Sequence, residues 1–303
     1  MRNFCTLFDS NYRTKGLVLH QTLMHHMPDA HLYILCLDDP LYGLLSILKP
    51  ENTTLIRLDD FLDPALRSKK NSRTYTEWVW TMTPSLPLYI LRAYPHLKEI
   101  AYVDADIAFF HHLQPMYDEI GDAPCMVIPH RFPPGKEKLE NGKYNVSLVW
   151  WRNTPRMIDL LQTWRGQCLD WCHYWPDTSG RFADQGYLND WPEEWDAHVL
   201  QHHGCNLAPF NMGQYEYRYL DFPAPGREPE ICIYTSLTEE QVTGYKLIFF
   251  HFHEFQVKNE LGAQFFRCNY ARPNIIDKYV YPAYETALRH QIERIRPHVQ
   301  HTR

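Results

Sequence analysis

No stretch of this 303-residue chain strings together the ~18 apolar residues a membrane-spanning helix needs. The opening segment, Met1 to Asp9, lacks the long apolar run of a signal peptide and enters a strand-like pattern at once. No basic block stands out: Lys and Arg number 30 against 36 Asp and Glu, a formal charge of −6, which argues against nucleic acid as a partner. There is no internal repeat and no low-complexity linker. Nor is there a disulfide framework. The eight cysteines are scattered, mostly inside apolar segments such as Leu35-Cys36-Leu37, the pattern of reduced, buried thiols. Cys168, Cys172 and His173, taken with His202, His203 and Cys205, match no common zinc-module spacing. These absences predict a soluble, cytoplasmic protein without a transmembrane segment. Apolar residues make up 45% of the chain, enough for a sizeable core, and the length suits one large α/β domain or two small ones.

What is present is an alternation of strands and helices. Phe4 to Phe8, His31 to Leu37, Thr53 to Leu58 and Lys98 to Ile107 read as strands. Between them Lys15 to His26, Pro40 to Leu48 and Thr81 to Tyr94 carry helical spacing, the last with Pro84 near its start, where proline is tolerated. Such alternation predicts a mostly parallel central sheet flanked by helices, with ligands at the carboxyl ends of the strands. Asp9, Asp38 and Asp104 stand at those ends. In the second half Cys125 to Ile128, Ser147 to Trp151 and Lys246 to His253 read as strands. Pro155 to Trp171 reads as a helix, Cys172 to Gln201 as irregular chain, and Asp277 to Arg296 as a terminal helix broken or bent near Pro282. Pro133 to Lys138 reads as a mobile loop. The expected organisation is a single domain over 1–303, with a nucleotide-binding half at 1–120, a donor and acceptor half at 121–260 and a helical extension at 261–303.

The most informative segment is Ala101-Tyr-Val-Asp104-Ala-Asp106-Ile-Ala-Phe-Phe110. It reads as an apolar strand tipped by two carboxylates spaced i, i+2, which in extended chain share a face. Paired carboxylates suit a hard divalent cation. An acidic pair in a solvated loop would look the same, so the remaining segments decide. Thr6-Leu-Phe-Asp9-Ser-Asn11-Tyr12 opens the chain. Tyr144-Asn145-Val-Ser147 precedes Phe182-Ala-Asp184-Gln185-Gly186, and Phe250-His251-Phe-His253 follows.

In this order, over about residues 4 to 258, the set resembles the GT-A nucleotide-sugar glycosyltransferases, most closely glycosyltransferase family 8 and its relatives. The resemblance implies a GT-A fold and a metal-dependent transfer of sugar from a uridine diphospho-sugar to a saccharide or other hydroxyl acceptor, with retention of configuration. It implies Asp104, Asp106 and His251 as ligands of Mn²⁺ or Mg²⁺, with Asp104 also on the ribose. His253 shares a strand face with His251 and is the alternative ligand; a structural histidine is the third reading. Asp9, Asn11 and Tyr12 match the base-binding segment, although an ordinary Asx turn after the first strand would use the same residues. Asn145 and Ser147 match positions touching donor-sugar hydroxyls. Asp184 and Gln185 match the catalytic pair at the sugar end of the site, with Gln185 near the anomeric carbon and Asp184 holding sugar hydroxyls. Two departures stand out. The family's closing Gly-x-x-Lys-Pro-Trp is here Glu254-Phe-Gln-Val-Lys258-Asn, with Lys258 the remaining candidate for the diphosphate. The family's arginine before the metal strand is absent, with Arg73 upstream as its candidate replacement.

Two other function classes fit parts of the pattern. One is a nucleotide-sugar-binding GT-A protein that does not transfer; unused buried charge at Asp104, Asp106 and His251 speaks against it. The other is a metal-dependent phosphoesterase, which wants a second ligand cluster that the sequence does not offer. The aromatic cluster from Trp150 to Trp195 reads equally as a sugar-stacking surface or as core.

Overall fold

The structure, a computed structural model, describes residues 1–220, 230–235 and 243–299. Its first strand, β1 (Asn3–Phe8), is buried along its whole length and mainly apolar because both of its faces are covered. Phe4 and Phe8 pack to one side with Leu17, Leu19 and Leu23 of the helix Arg13–His26. Cys5 and Leu7 pack to the other with Trp78, Met82 and Leu86. A Cβ on Gly16 would lie 2.3 Å from the Phe8 ring, so glycine is what lets that helix ride directly on β1. Strands β2 (His31–Cys36) and β3 (Thr53–Arg57) follow in parallel on one side of β1, and β4 (Glu99–Val103) is parallel to it on the other.

After β4 the chain turns at Asp104–Asp106 and enters the short β5 (Ile107–Phe109). Strands β6 (Cys125–Pro129), β7 (Tyr144–Arg152) and β8 (His198–Val199) complete the sheet in the order β3-β2-β1-β4-β7-β6-β8. β7 is antiparallel to both β4 and β6, and every other pairing is parallel, so the mostly parallel sheet flanked by helices is as expected. The sheet runs without interruption across residue 120. A smaller sheet follows from β9 (Glu216–Leu220), β10 (Glu230–Thr235) and β11 (Thr243–Lys246). Next, β12 (Phe249–His251) returns to pair antiparallel with β5, with His251 opposite Ile107. β13 (Gln256–Lys258) and β14 (Gln264–Phe266) form a final hairpin.

Three expectations need correction, and a fourth is made specific. The carboxylates are not in the strand: β4 ends at Val103, and the acidic pair sits in the turn before β5. The helix expected over Thr81 to Tyr94 is two helices, Tyr75–Met82 and Ser85–Ala93, separated at Thr83-Pro84. The first begins earlier because Thr74 and Glu77 form a reciprocal capping box, a signal present in the sequence as Thr-x-x-Glu. The single strand expected over Lys246 to His253 is divided between β11 and β12. The irregularity expected in the terminal helix near Pro282 takes the form of a π-helical turn rather than a break. The helix widens into that turn at Ile276–Val280 and continues as an α-helix through Tyr281–Val299, relieving the missing N–H of the proline.

The tryptophan question divides by residue. Trp150, Trp151, Trp164 and Trp191 are buried, with Trp164 and Trp191 rings 5.1 Å apart edge to face; they are core. Trp175 is 75% exposed, and Tyr174 lines the cleft described next. Among the described residues no helix is long and apolar enough to cross a membrane.

Candidate functional site

The carboxyl ends of β1 and β4, the helix Tyr75–Met82 and the segments after β6 and β12 enclose a cleft of about 700 Å³. Asp104, Asp106 and His251 meet at its floor, each offering a ligand atom within 4.8 Å of the others. The local geometry follows from pairing. Asp104 N–H donates to the Ser147 carbonyl at 2.8 Å, fixing the turn to β7. Phe252 N–H donates to the Asp106 carbonyl at 2.9 Å, so the β5–β12 register delivers His251 beside Asp106. His251 Nε2 lies 3.3 Å from Asp106 Oδ1 and 3.9 Å from Asp104 Oδ2. The Tyr102 hydroxyl donates to Asp104 Oδ1 at 3.0 Å.

Electrostatics separates the two carboxylates. Burial, reinforced by Asp106, pushes the Asp104 carboxyl up to about 6, against the opposing pull of His251 and the Tyr102 hydrogen bond. Burial acts on Asp106 in the same direction but is outweighed by His251 and Lys15, which hold it below the usual carboxylate range. Burial would lower His251, yet the charge and hydrogen bond of Asp106 raise it above the ordinary imidazole value. His251 Nδ1 is buried without a hydrogen-bond partner. Two crowded carboxylates and one imidazole form a donor set that fits a divalent ion of the Mn²⁺ or Mg²⁺ kind. His253 lines the cleft with its ring 5.7 Å from His251. Its imidazole is pushed down to about 4 by burial and by the charge of His251, and its Nε2 faces Glu254 Oε1 at 3.7 Å.

One end of the cleft holds Asp9, Asn11 and Tyr12. Asp9 Oδ1 accepts from the N–H groups of Asn11 (2.9 Å) and Tyr12 (3.2 Å), and Oδ2 accepts from the Asn11 amide (3.1 Å) and the Tyr75 hydroxyl (2.9 Å). The carboxylate thus builds an Asx turn and ties the strand end to the helix Tyr75–Met82. At the other end Asn145, Asp184 and Gln185 line the cleft. The Asn145 amide faces His130 Nε2 at 3.3 Å and donates to Gln185 Oε1 at 3.4 Å, and the Gln185 amide donates to the Asn141 carbonyl at 2.7 Å. Burial pushes Asp184 up to about 7, opposed by a hydrogen bond from Thr83. The Asp184 carbonyl accepts from the Trp164 indole at 2.8 Å, so the tryptophan core holds this corner in place.

Three sequence candidates stand elsewhere. Ser147 is fully buried, donates to Asn206 Oδ1 at 2.9 Å and does not line the cleft; the close β4–β7 pairing turns it into the core. Lys258 lies on β13, 4.8 Å over the Phe266 ring, outside the cleft lining. Arg73 is bound to Thr81 and to the Leu169 carbonyl, bracing the helix Tyr75–Met82 from behind. Conversely, sequence reasoning missed His130, Thr83 and Lys15. Lys15 sits in the first turn of the helix Arg13–His26 with no motif around it, and only the fold brings its ammonium to Asp106.

Comparison with known proteins agrees with this architecture. The chain is 28% identical over 299 residues to uncharacterized protein YfnD of Bacillus subtilis (strain 168), covering 97% of this chain and 90% of YfnD. Among solved structures it superposes on an active-site mutant of LgtC with a TM-score of 0.53 at 12% identity, covering 95% of each chain. It superposes on apo-form glycosyltransferase GlyE of Streptococcus pneumoniae TIGR4 with a TM-score of 0.52 at 12% identity, over 97% of this chain and 63% of GlyE; this chain therefore spans less than two thirds of that protein. No protein-family model matches the chain. The fold is the GT-A fold of glycosyltransferases.

Proposed function

We propose that the protein is a metal-dependent glycosyltransferase that moves a sugar from a uridine diphospho-sugar to a saccharide or other hydroxyl acceptor, with retention of configuration. The observation that carries this reading is the convergence of Asp104, Asp106 and His251 on the floor of a cleft that also holds Asp9 at one end and Asp184 and Gln185 at the other. A divalent ion bound there supplies Lewis-acid neutralisation of the departing diphosphate. Asp104 and Asp106 contribute its anionic ligands, and His251 contributes neutral Nε2. Asp9 shapes the turn that receives the base, and Tyr12 presents a half-open ring for stacking. Asn145 and Gln185 brace each other as hydrogen-bonding groups for the donor sugar. Asp184, driven toward its neutral form, is suited to hold hydroxyls rather than to attack carbon. That favours front-face displacement over a double displacement through an enzyme carboxylate.

Single-domain organisation over 1–303 and a cytoplasmic site of action complete the reading. The non-transferring alternative gains nothing from the site, and the phosphoesterase alternative lacks a second ligand cluster among the described residues. A thermal-shift screen of uridine, guanosine and adenosine diphosphates, with and without Mn²⁺, tests the proposal. A uridine diphosphate response that needs Mn²⁺, followed by donor hydrolysis on incubation, is the expected result. Preference for another nucleotide removes the uridine assignment, and a metal-bound nucleotide without donor turnover selects the binding-only reading.

A further inference from the structure

Lys15 is the charged group nearest the metal-ligand cluster that the proposed chemistry leaves unused. Its side chain is 6% exposed. Its ammonium lies 3.9 Å from Asp106 Oδ2 and 4.3 Å from the centre of the Tyr12 ring. The two oxygens of Asp106 therefore face different partners: Oδ1 looks to His251 Nε2, and Oδ2 to Lys15. An ammonium taken out of water needs a counter-charge, and here that charge is a carboxylate the cation site also needs.

The charge count gives this contact a consequence. Asp104 and Asp106 bring two negative charges, ligating His251 is neutral, and Lys15 cancels one of the two. A divalent ion entering the cluster leaves an excess of one positive charge in a partly desolvated site. A diphosphate, carrying at least two negative charges, removes that excess. We infer that Lys15 is a resident counter-ion of Asp106 that both aims Oδ1 into the site and keeps the divalent ion weakly held until a diphosphate arrives with it. The competition between Lys15 and the ion concerns this chain's residues alone. The coupling to a diphosphate rests on the function proposed above. By linkage, whatever factor the diphosphate gains from the metal, the metal gains from the diphosphate.

The test is Mn²⁺ titration followed by electron paramagnetic resonance of the free ion, on the full chain, with and without uridine diphosphate. Lys15→Met keeps the apolar stem and removes the charge; Lys15→Arg keeps the charge. Without nucleotide, Lys15→Met should bind Mn²⁺ at least roughly tenfold more tightly than wild type, about 1.4 kcal/mol. The extra tightening produced by uridine diphosphate should shrink by a similar factor. Lys15→Arg should stay near wild type in both titrations. Unchanged or weaker Mn²⁺ binding by a folded Lys15→Met overturns the inference. If Lys15→Met does not fold, the wild-type pair of titrations decides: uridine diphosphate must strengthen Mn²⁺ binding at least roughly tenfold, and equal affinities overturn the coupling. Absence of any nucleotide binding refutes the nucleotide assignment, while the nucleotide-free comparison still rules on Lys15.

Discussion

Substituting asparagine at Asp104 and at Asp106 should change stability in opposite directions, although the residues are two apart and share one cluster. Asp106 is the stabilising member. A unit charge pair at its 3.9 Å separation from Lys15 is worth about 4 kcal/mol at an effective dielectric of about 20. Asp106→Asn leaves that ammonium buried and unpaired, and release of its proton caps the damage, so a loss of ~2–4 kcal/mol is expected. Asp104 is the strained member. Its carboxyl is raised from 3.8 to about 6, so the ionised form costs the folded state about 3 kcal/mol at full value. Its side chain is still 31% open to the cleft, which reduces the cost to ~1–2 kcal/mol. Asparagine removes it and can still accept the Tyr102 hydrogen bond, so Asp104→Asn should stabilise the metal-free protein by that amount. The sign has a pH window. A raised acid pKa penalises the fold fully above about 6 and not at all below 3.8, so the gain should fade as pH falls through that interval. Urea unfolding in EDTA at pH 8 and at pH 4.5 measures all of this. Equal destabilisation by both substitutions, or a neutral Asp106→Asn, refutes the charge assignment. Exchanged out of EDTA into Mn²⁺, both variants should lose the metal-dependent response to uridine diphosphate.

Other outcomes follow from single contacts. His130 is buried and pushed down to about 4, so between pH 6.5 and 4 the unfolded chain takes up a proton that the folded one does not. Stability should fall by up to about 3 kcal/mol on acidification through that range, and His130→Gln should flatten the slope of urea midpoint against pH; an unchanged slope assigns the effect to other histidines. Asp9→Ala should weaken uridine diphosphate binding by roughly 1–3 kcal/mol, whereas Tyr75→Phe should shift it by under about 0.5 kcal/mol. Isothermal titration of both separates a carboxylate contact from a phenol contact. Gly16→Ala should destabilise by ~1–3 kcal/mol, because its Cβ would meet the Phe8 ring at 2.3 Å; a wild-type melting temperature would show that the helix can lift off β1.

Legibility in the sequence tracks how local the cause is. β1, β2 and β3 were readable to within a residue because each is a short, mainly apolar or β-branched run bounded by polar turns, fully buried in β1 and nearly so in β2. Asp104, Asp106 and His251 were readable as ligand types at strand ends. Their meeting followed only from the ordered resemblance and not from local pattern, because it depends on the pairing of β5 with β12, two three-residue strands far apart in the chain whose register no local pattern specifies. The antiparallel insertion of β7 between β4 and β6 was hidden for the same reason, and with it the burial of Ser147. Asp9 shows the limit of a motif. The segment was legible, but a turn-building carboxylate and a base-binding one look alike in sequence, and all four of its hydrogen bonds in the structure are internal.

The charge lining the cleft narrows what can bind there. Asp9, Asp104, Asp106, Asp184 and Glu254 face it against Lys138, with Lys15 set behind Asp106 and Lys258 outside the lining. Even with Asp184 driven toward its neutral form, the walls are acidic. A bare diphosphate entering such a cleft meets like charge at short range in a medium that screens poorly. The neutralising charge must come with the ligand, and the Asp104, Asp106 and His251 donor set is built to take it as a divalent ion. The metal dependence proposed above thus follows from this chain's own charge balance. On that proposal no arginine is required near Thr83 and Lys258 can stand on the outer hairpin, because the main cation of the phosphate site would be imported rather than encoded.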